Sequence, residues 1–166
     1  MVDKSKLIEE FEKHGGVLKT AELKSLGLTS RQIKKLVDEG EISKIKQGYY
    51  ELAGEANPEE IIIARLFPNA ILFLESALLH YGYTDRIPTA WQIAVDRNSE
   101  KSQYDIAYPM LQPFYQEPKF LSIGVATFEV QGVEVKIFDR DRTICDLLCY
   151  EKNLKEKCFR MRSCDT

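Results

Sequence analysis

Thr29, Ser30, Arg31, Gln32, Lys34 and Lys35 crowd positions 29–35 with hydrogen-bond donors. An arginine fork can donate to O6 and N7 of one guanine, while hydroxyl, amide and ammonium groups suit other base edges and phosphates. The pattern is helical, because Ile33, Leu36 and Val37 recur at i, i+3 and i+4 and leave Arg31, Lys34, Lys35 and Asp38 on the opposite face. Thr29 is placed as an N-cap with Gln32 where a capping box requires it, and Gly40 falls where a helix-ending glycine belongs. Alternation then predicts a hairpin: Ile42 and Ile45 outbound, Tyr49, Tyr50 and Leu52 returning, with Lys44, Lys46, Gln47 and Gly48 around the bend. The chemistry these residues could perform is base reading by Thr29, Ser30, Arg31 and Lys34, joined by Gln32 if the capping box leaves it free. Lys44, Lys46 and Gln47 would lie against a backbone or minor groove. Lys35, Lys19 and the amides near Thr20 suit phosphates.

Other chemistries find little footing. His14 and His80 lie in separate predicted helices with no serine or cysteine motif beside them; His14 reads as a helix-end cation and His80 as a half-buried helix residue. The glycines are dispersed as stops and turns rather than gathered in a phosphate loop. Cys145 and Cys149 share a helical face, but their spacing to Cys158 and Cys164 does not fit the usual zinc pairs. The expectation is a non-enzyme with no cofactor and no metal.

The elements that must position the basic stretch read as follows. Residues 4–14 form a helix with Leu7, Ile8 and Phe11 inward, closed by Gly15 and Gly16. Thr20 is the expected cap of a second short helix ending at Gly27, and Leu28 alone separates it from Thr29. Two short helices so tightly joined, followed by a basic-tipped hairpin, have the layout of a winged helix-turn-helix. Residues 53–58 (AGEANP) mark the boundary between a DNA-binding domain over 1–53 and a second domain over 58–166. There, helices are expected over 59–67 and 72–81, a strand over 91–95, and a long surface excursion over 96–118. A hairpin over 125–138 turns at Gln131-Gly132, and Asp139 caps a final helix with Ile144, Leu147 and Leu148 inward. The fold class is α+β. Aromatic residues exposed around 104–120 would offer a partner or self-association surface.

Charge is distributed unevenly around the net of −3. Residues 1–52 hold 10 basic against 9 acidic side chains, and 53–166 hold 13 against 17. The cationic face is therefore a local patch, and any DNA affinity should be modest and steep in salt. No apolar run reaches the ~20 residues of a membrane span, and the N-terminus lacks a signal core, which points to a cytoplasmic protein without membrane contact.

The order KQGYYEL, LESALLHYGYTDRIPTAWQIAV, VQGVEVKIFDRDRTICDLL resembles the AbiEi-type antitoxins of type IV abortive-infection toxin–antitoxin systems. That resemblance implies an N-terminal winged helix, a C-terminal antitoxin domain, repression of the protein's own promoter through inverted repeats, and a neighbouring nucleotidyltransferase toxin as functional partner. The tail KCFRMRSCDT has little helical periodicity and departs from the family pattern; it reads as truncated, frameshifted or divergent. The alternative from a different class is a winged-helix module that binds protein rather than a specific DNA.

Overall fold

A computed structural model describes the backbone of residues 3–162 and the side chains of residues 3–151. The chain forms two compact units, neither of them one continuous stretch. Unit 1 comprises Met1–Ala70, Glu100–Leu111 and Thr127–Lys136, and unit 2 comprises Ile71–Ser99, Gln112–Ala126 and Ile137–Thr166.

Unit 1 opens with helix α1 (Lys4–Lys13), capped by the Asp3 carboxylate, which accepts from the Ser5 N–H at 3.2 Å. Strand β1 (Val17–Lys19), helices α2 (Thr20–Ser25) and α3 (Ser30–Asp38), and strands β2 (Ile42–Lys46) and β3 (Tyr49–Leu52) follow. The antiparallel sheet has the order β1-β3-β2, with Val17 opposite Glu51 and Ile42 opposite Leu52. This is the element order of a winged helix. Its core is Leu7, Phe11, Leu18, Leu23, Leu28, Ile33 and Ile42, with Leu36, Val37 and Tyr50 packed against them. The three-residue β1 escapes periodicity analysis, since it is too short to alternate. Helix α4 (Glu59–Leu66) buries Ile61, Ile62, Ile63 and Leu66, and belongs to the same unit.

Thr20 is not the cap expected of it. Lys19 occupies that position, and the Glu22 carboxylate accepts from the Lys19 N–H at 2.7 Å, so Thr20 is the first helical residue. Carboxylate rather than hydroxyl thus satisfies the exposed helix donor.

Gly16, at φ +87°, is required by both conformation and space: a Cβ there would lie 1.8 Å from the Asn57 Oδ1. Asn57 is itself held by Glu51 at 3.1 Å, so making room breaks that hydrogen bond. Gly16→Ala is expected to destabilise unit 1 by about 2 kcal/mol, read as a lowered urea midpoint at constant m.

Unit 2 is built on a five-stranded sheet of order β6-β5-β4-β8-β7, using β4 (Ile71–Leu72), β5 (Trp91–Asp96), β6 (Leu111–Gln116), β7 (Val125–Val130) and β8 (Val133–Phe138). The turn-side halves of β7 and β8 are counted with unit 1. Strand β4 pairs antiparallel with β5 and parallel with β8. Helices α5 (Leu74–His80), α6 (Pro118–Leu121) and α7 (Arg140–Arg162) complete the chain. Ile71, Phe73, Leu74, Ala94 and Phe138 form the core of this unit.

Five expectations for 58–166 are corrected. Leu72 is strand rather than helix. The stretch 96–118 is not a plain excursion, since Lys101–Tyr104 is a 3-10 turn and 111–116 is strand β6. Pro113 is tolerated because β6 lies at the sheet edge, where a missing N–H costs no ladder bond. Ile144 and Leu148 are 43% and 61% exposed, while Thr143 is the buried residue of that turn. The helix also continues to Arg162 through much of the tail that lacked periodicity. His80 is exposed rather than half-buried. Asp139 does cap α7, accepting from the Arg142 N–H at 2.8 Å. Among the described residues no helix is long and apolar enough to cross a membrane.

Candidate nucleic-acid interface

Helix α3 is closed at both ends, by side chains at its start and by backbone bonds at its finish. Thr29 Oγ1 accepts from the Gln32 N–H at 3.3 Å, and Gln32 Oε1 accepts from the Thr29 N–H at 2.8 Å. The predicted capping box is therefore complete, and Gln32 is occupied in it. At the other end the Glu41 N–H reaches back to the Leu36 carbonyl at 2.9 Å, with Gly40 at φ +72°. This is the Schellman closure that a left-handed glycine permits. Ile33 is buried beneath the helix, whereas Ser30, Arg31, Lys34, Lys35 and Asp38 are exposed.

Within that face the cations differ. Lys35 pairs with Glu39 one turn on, at 3.5 Å and well exposed, an arrangement worth little. Arg31 and Lys34 make no hydrogen bond or ion pair with another described residue. Their donors remain available to a ligand. Lys34 and Asp38 form one wall of a groove of about 410 Å³; Lys44 and Gln47 from the hairpin form the other, with Ile33, Val37 and Tyr50 also lining it. Tyr50 and Asp38 were not among the expected contact residues. Only the fold could place Tyr50, since a strand aromatic gives no sign of which groove it lines.

The hairpin side chains separate into two kinds. Lys44 donates to the Gln47 Oε1 at 2.7 Å, and both side chains are exposed near the turn. Lys46 is held inward instead: its ammonium donates to the Gln103 carbonyl at 2.7 Å and lies 4.7 Å from the centre of the Phe67 ring. Burial pushes its pKa below the ordinary lysine value. Phe67 in turn stacks at a tilt on Tyr104, with ring centres 5.1 Å apart. The base of the wing is thus tied to the 101–104 turn through one ammonium group.

The amides expected to greet a phosphate at α2 are partly spent. The Lys19 N–H is taken by Glu22, and the Thr20 N–H donates to the Gly48 carbonyl at 2.9 Å. The second bond locks the start of α2 to the turn of the wing. The Lys19 ammonium sits 6.0 Å from the centre of the Tyr49 ring, at the limit of a cation–π contact.

Behind α2 lies a charge cluster that no local pattern announces. Arg65 Nη2 reaches both Glu22 carboxylate oxygens, at 2.7 and 2.5 Å, and Arg65 Nε donates to the Val17 carbonyl at 3.2 Å. His14 Nε2 stands 3.8 Å from the same carboxylate. Burial alone would raise the Glu22 pKa, but the bonds from Arg65 and the Lys19 N–H, with the charges of Arg65 and His14, hold it below the ordinary carboxylate value. This cluster braces α1, β1, α2 and α4 behind α3.

Cys145 and Cys149 are free and exposed. Cys158 and Cys164 lie outside the described side chains. Among the described residues no three metal-ligating side chains gather.

No curated protein is significantly similar to the chain. Residues 5–53, the span from α1 through the wing, match the family described as transcriptional regulator, AbiEi antitoxin. The resemblance carried by the sequence motifs thus has an independent match over the winged-helix segment, which is similar to the AbiEi antitoxin regulators.

Proposed function

We propose that the protein is a DNA-binding repressor of its own promoter and the antitoxin of a type IV toxin–antitoxin system, acting in the cytoplasm against a neighbouring nucleotidyltransferase toxin. Residues 1–53 bind DNA and 58–166 carry the antitoxin part. The observation that carries this reading is the pairing of a doubly capped α3 with two unpartnered cations, Arg31 and Lys34, on its exposed face. A helix-turn-helix docks its second helix in the major groove by its N-terminal residues. Thr29, Ser30, Arg31 and Lys34 occupy that end of α3 and its following turn. Lys35, Lys44, Gln47 and Lys19 supply backbone contacts, while Gln32 shapes the helix end, and Thr20 and Lys46 hold the wing in place. The protein-only alternative needs this face covered by a partner, and no observation favours it.

The test is anisotropy binding of the full chain to its own upstream DNA at several salt concentrations, with random-sequence competitor. Specific binding on the order of 10³-fold above the competitor, spread over two inverted half-sites, supports operator repression. Equal affinity for both DNAs at every salt concentration rejects it. A companion prediction concerns the wing: Lys44→Ala should reduce the slope of log K against log salt by about 1, whereas Lys46→Ala should leave the slope unchanged and lower stability by about 1 kcal/mol.

A further inference from the structure

Cys145 and Cys149 lie four residues apart in α7, so their side chains stand one above the other on a single face of the helix. Both are free and exposed, and neither thiol has a hydrogen-bond partner among the described residues. Both also line one groove of about 400 Å³, to which Phe120 and Ile123 contribute apolar walls. The oxygens that border this groove are engaged by one guanidinium. Arg142 Nε donates to the Asp146 carboxylate at 2.8 Å, and the remaining Arg142 donors go to the Phe120 and Ile123 carbonyls and to Gln116 Oε1. What the groove offers to an added ion is therefore a pair of sulfurs side by side.

We infer that Cys145 and Cys149 form a two-coordinate site for a soft monovalent cation of the copper(I) class. Side chains at i and i+4 have Cβ atoms about 5–6 Å apart, and two metal–sulfur bonds of about 2.3 Å laid end to end span about 4.6 Å. The helical spacing therefore closes on a near-linear sulfur–metal–sulfur unit without unwinding a turn. Ligand type and number then select the ion. Thiolates favour copper(I), zinc and iron–sulfur clusters. A structural zinc takes four ligands and a cluster takes four thiolates, whereas among the described residues no three ligating side chains gather. Copper(I) is the member of that class for which two thiolates suffice. Binding is a proton exchange and not a redox step. Each thiol yields its proton to solvent, two metal–sulfur bonds form, and the metal enters and stays as copper(I). The site belongs to unit 2 and stands or falls separately from the DNA reading, which rests on α3 in unit 1.

Anaerobic titration of the full, reduced chain with copper(I), buffered by bicinchoninate, tests the inference. The expected result is uptake of a single copper per chain, with a thiolate-to-copper charge-transfer band in the ultraviolet. Cys145→Ser or Cys149→Ser should weaken that uptake by at least on the order of 100-fold, since loss of even an outer-shell partner costs about 10–100-fold. Both positions are exposed, so the far-UV spectrum of either variant should match the wild type. Cys158→Ser combined with Cys164→Ser removes the other thiols of the chain and should leave the copper affinity unchanged. Uptake no tighter than that of the Cys145→Ser, Cys149→Ser double variant overturns the inference. Full binding in either single variant, or its loss through the 158 and 164 substitutions, overturns the two-thiol assignment. Zinc that displaces the copper at equal concentration overturns the choice of a soft, two-coordinate ion.

Discussion

Operator discrimination is expected to vanish when Arg31 and Lys34 are replaced together by alanine, while the protein stays folded. Both side chains are exposed and make no hydrogen bond or ion pair among the described residues, so their loss should change stability by less than about 0.5 kcal/mol. A bidentate arginine–guanine contact discriminates by about 1–3 kcal/mol, and a base-directed lysine adds to it, giving a combined loss on the order of 100-fold in affinity for the operator. Affinity for random DNA should fall much less. Competition anisotropy separates two mechanisms. A drop confined to the operator assigns the pair to base edges. A uniform drop on all sequences, with a shallower salt dependence, assigns them to phosphates. Unchanged operator binding would reject α3 as the reading helix altogether.

The second large effect is structural. Arg65→Ala would strip the Glu22 carboxylate, which is 25% exposed in the folded protein, of both hydrogen bonds from Arg65 Nη2. Breaking a buried pair from one side costs about 3–5 kcal/mol; with partial exposure about 2–4 kcal/mol is expected here, a large share of a small domain's stability. Replacing both partners by apolar residues should cost less than either single change. The pH dependence has a definite sign. Because the folded pKa of Glu22 is held below its ordinary 4.5, its contribution to stability is fully present above pH 4.5 and is lost as the pH falls through the folded value. Urea unfolding between neutral and acid pH should show this loss in the wild type. The same curve should be flatter in Glu22→Gln, and an equally steep one would remove Glu22 from the account.

Local rules made much of the winged helix legible. The Thr29–Gln32 box, the Gly40 stop and the 42–52 hairpin all follow from residues within a few positions of each other, and such patterns survive in the fold because nothing distant opposes them. The second unit was read less well for identifiable reasons. Strand β4 has two residues and no period, and β6 carries a proline that only an edge position excuses. Helix α7 departs in part from its expected face: Leu147 is half-buried, but Ile144 and Leu148 are exposed, and among the described residues the buried one is Thr143, which is tied to the Phe138 carbonyl at 3.3 Å. Hydrophobicity shows where a face is, not whether it meets its own core. At the candidate site the outward cations of α3 were legible. The inward seat of Lys46 was not, because Gln103 lies 57 residues away. Arg65 and Glu22 are 43 residues apart and equally invisible to pattern reading.

The composition of unit 1 from three separate stretches limits modularity. Its N-terminal 70 residues are completed by 100–111 and 127–136, which the chain supplies only after it has begun the other unit. A Cβ on Gly15 would meet both Ile61 and Val133, so that one turn is shaped by residues from two of those stretches. A fragment ending at the wing would lack Ile61, Arg65, Gln103 and Val133 alike. Recombination at the 53–58 junction therefore cannot transplant the complete unit, and a ribosome has to finish most of the chain before that unit can close. A fragment ending at the wing is accordingly expected to be less stable than the same residues within the full chain, read as a lower urea midpoint.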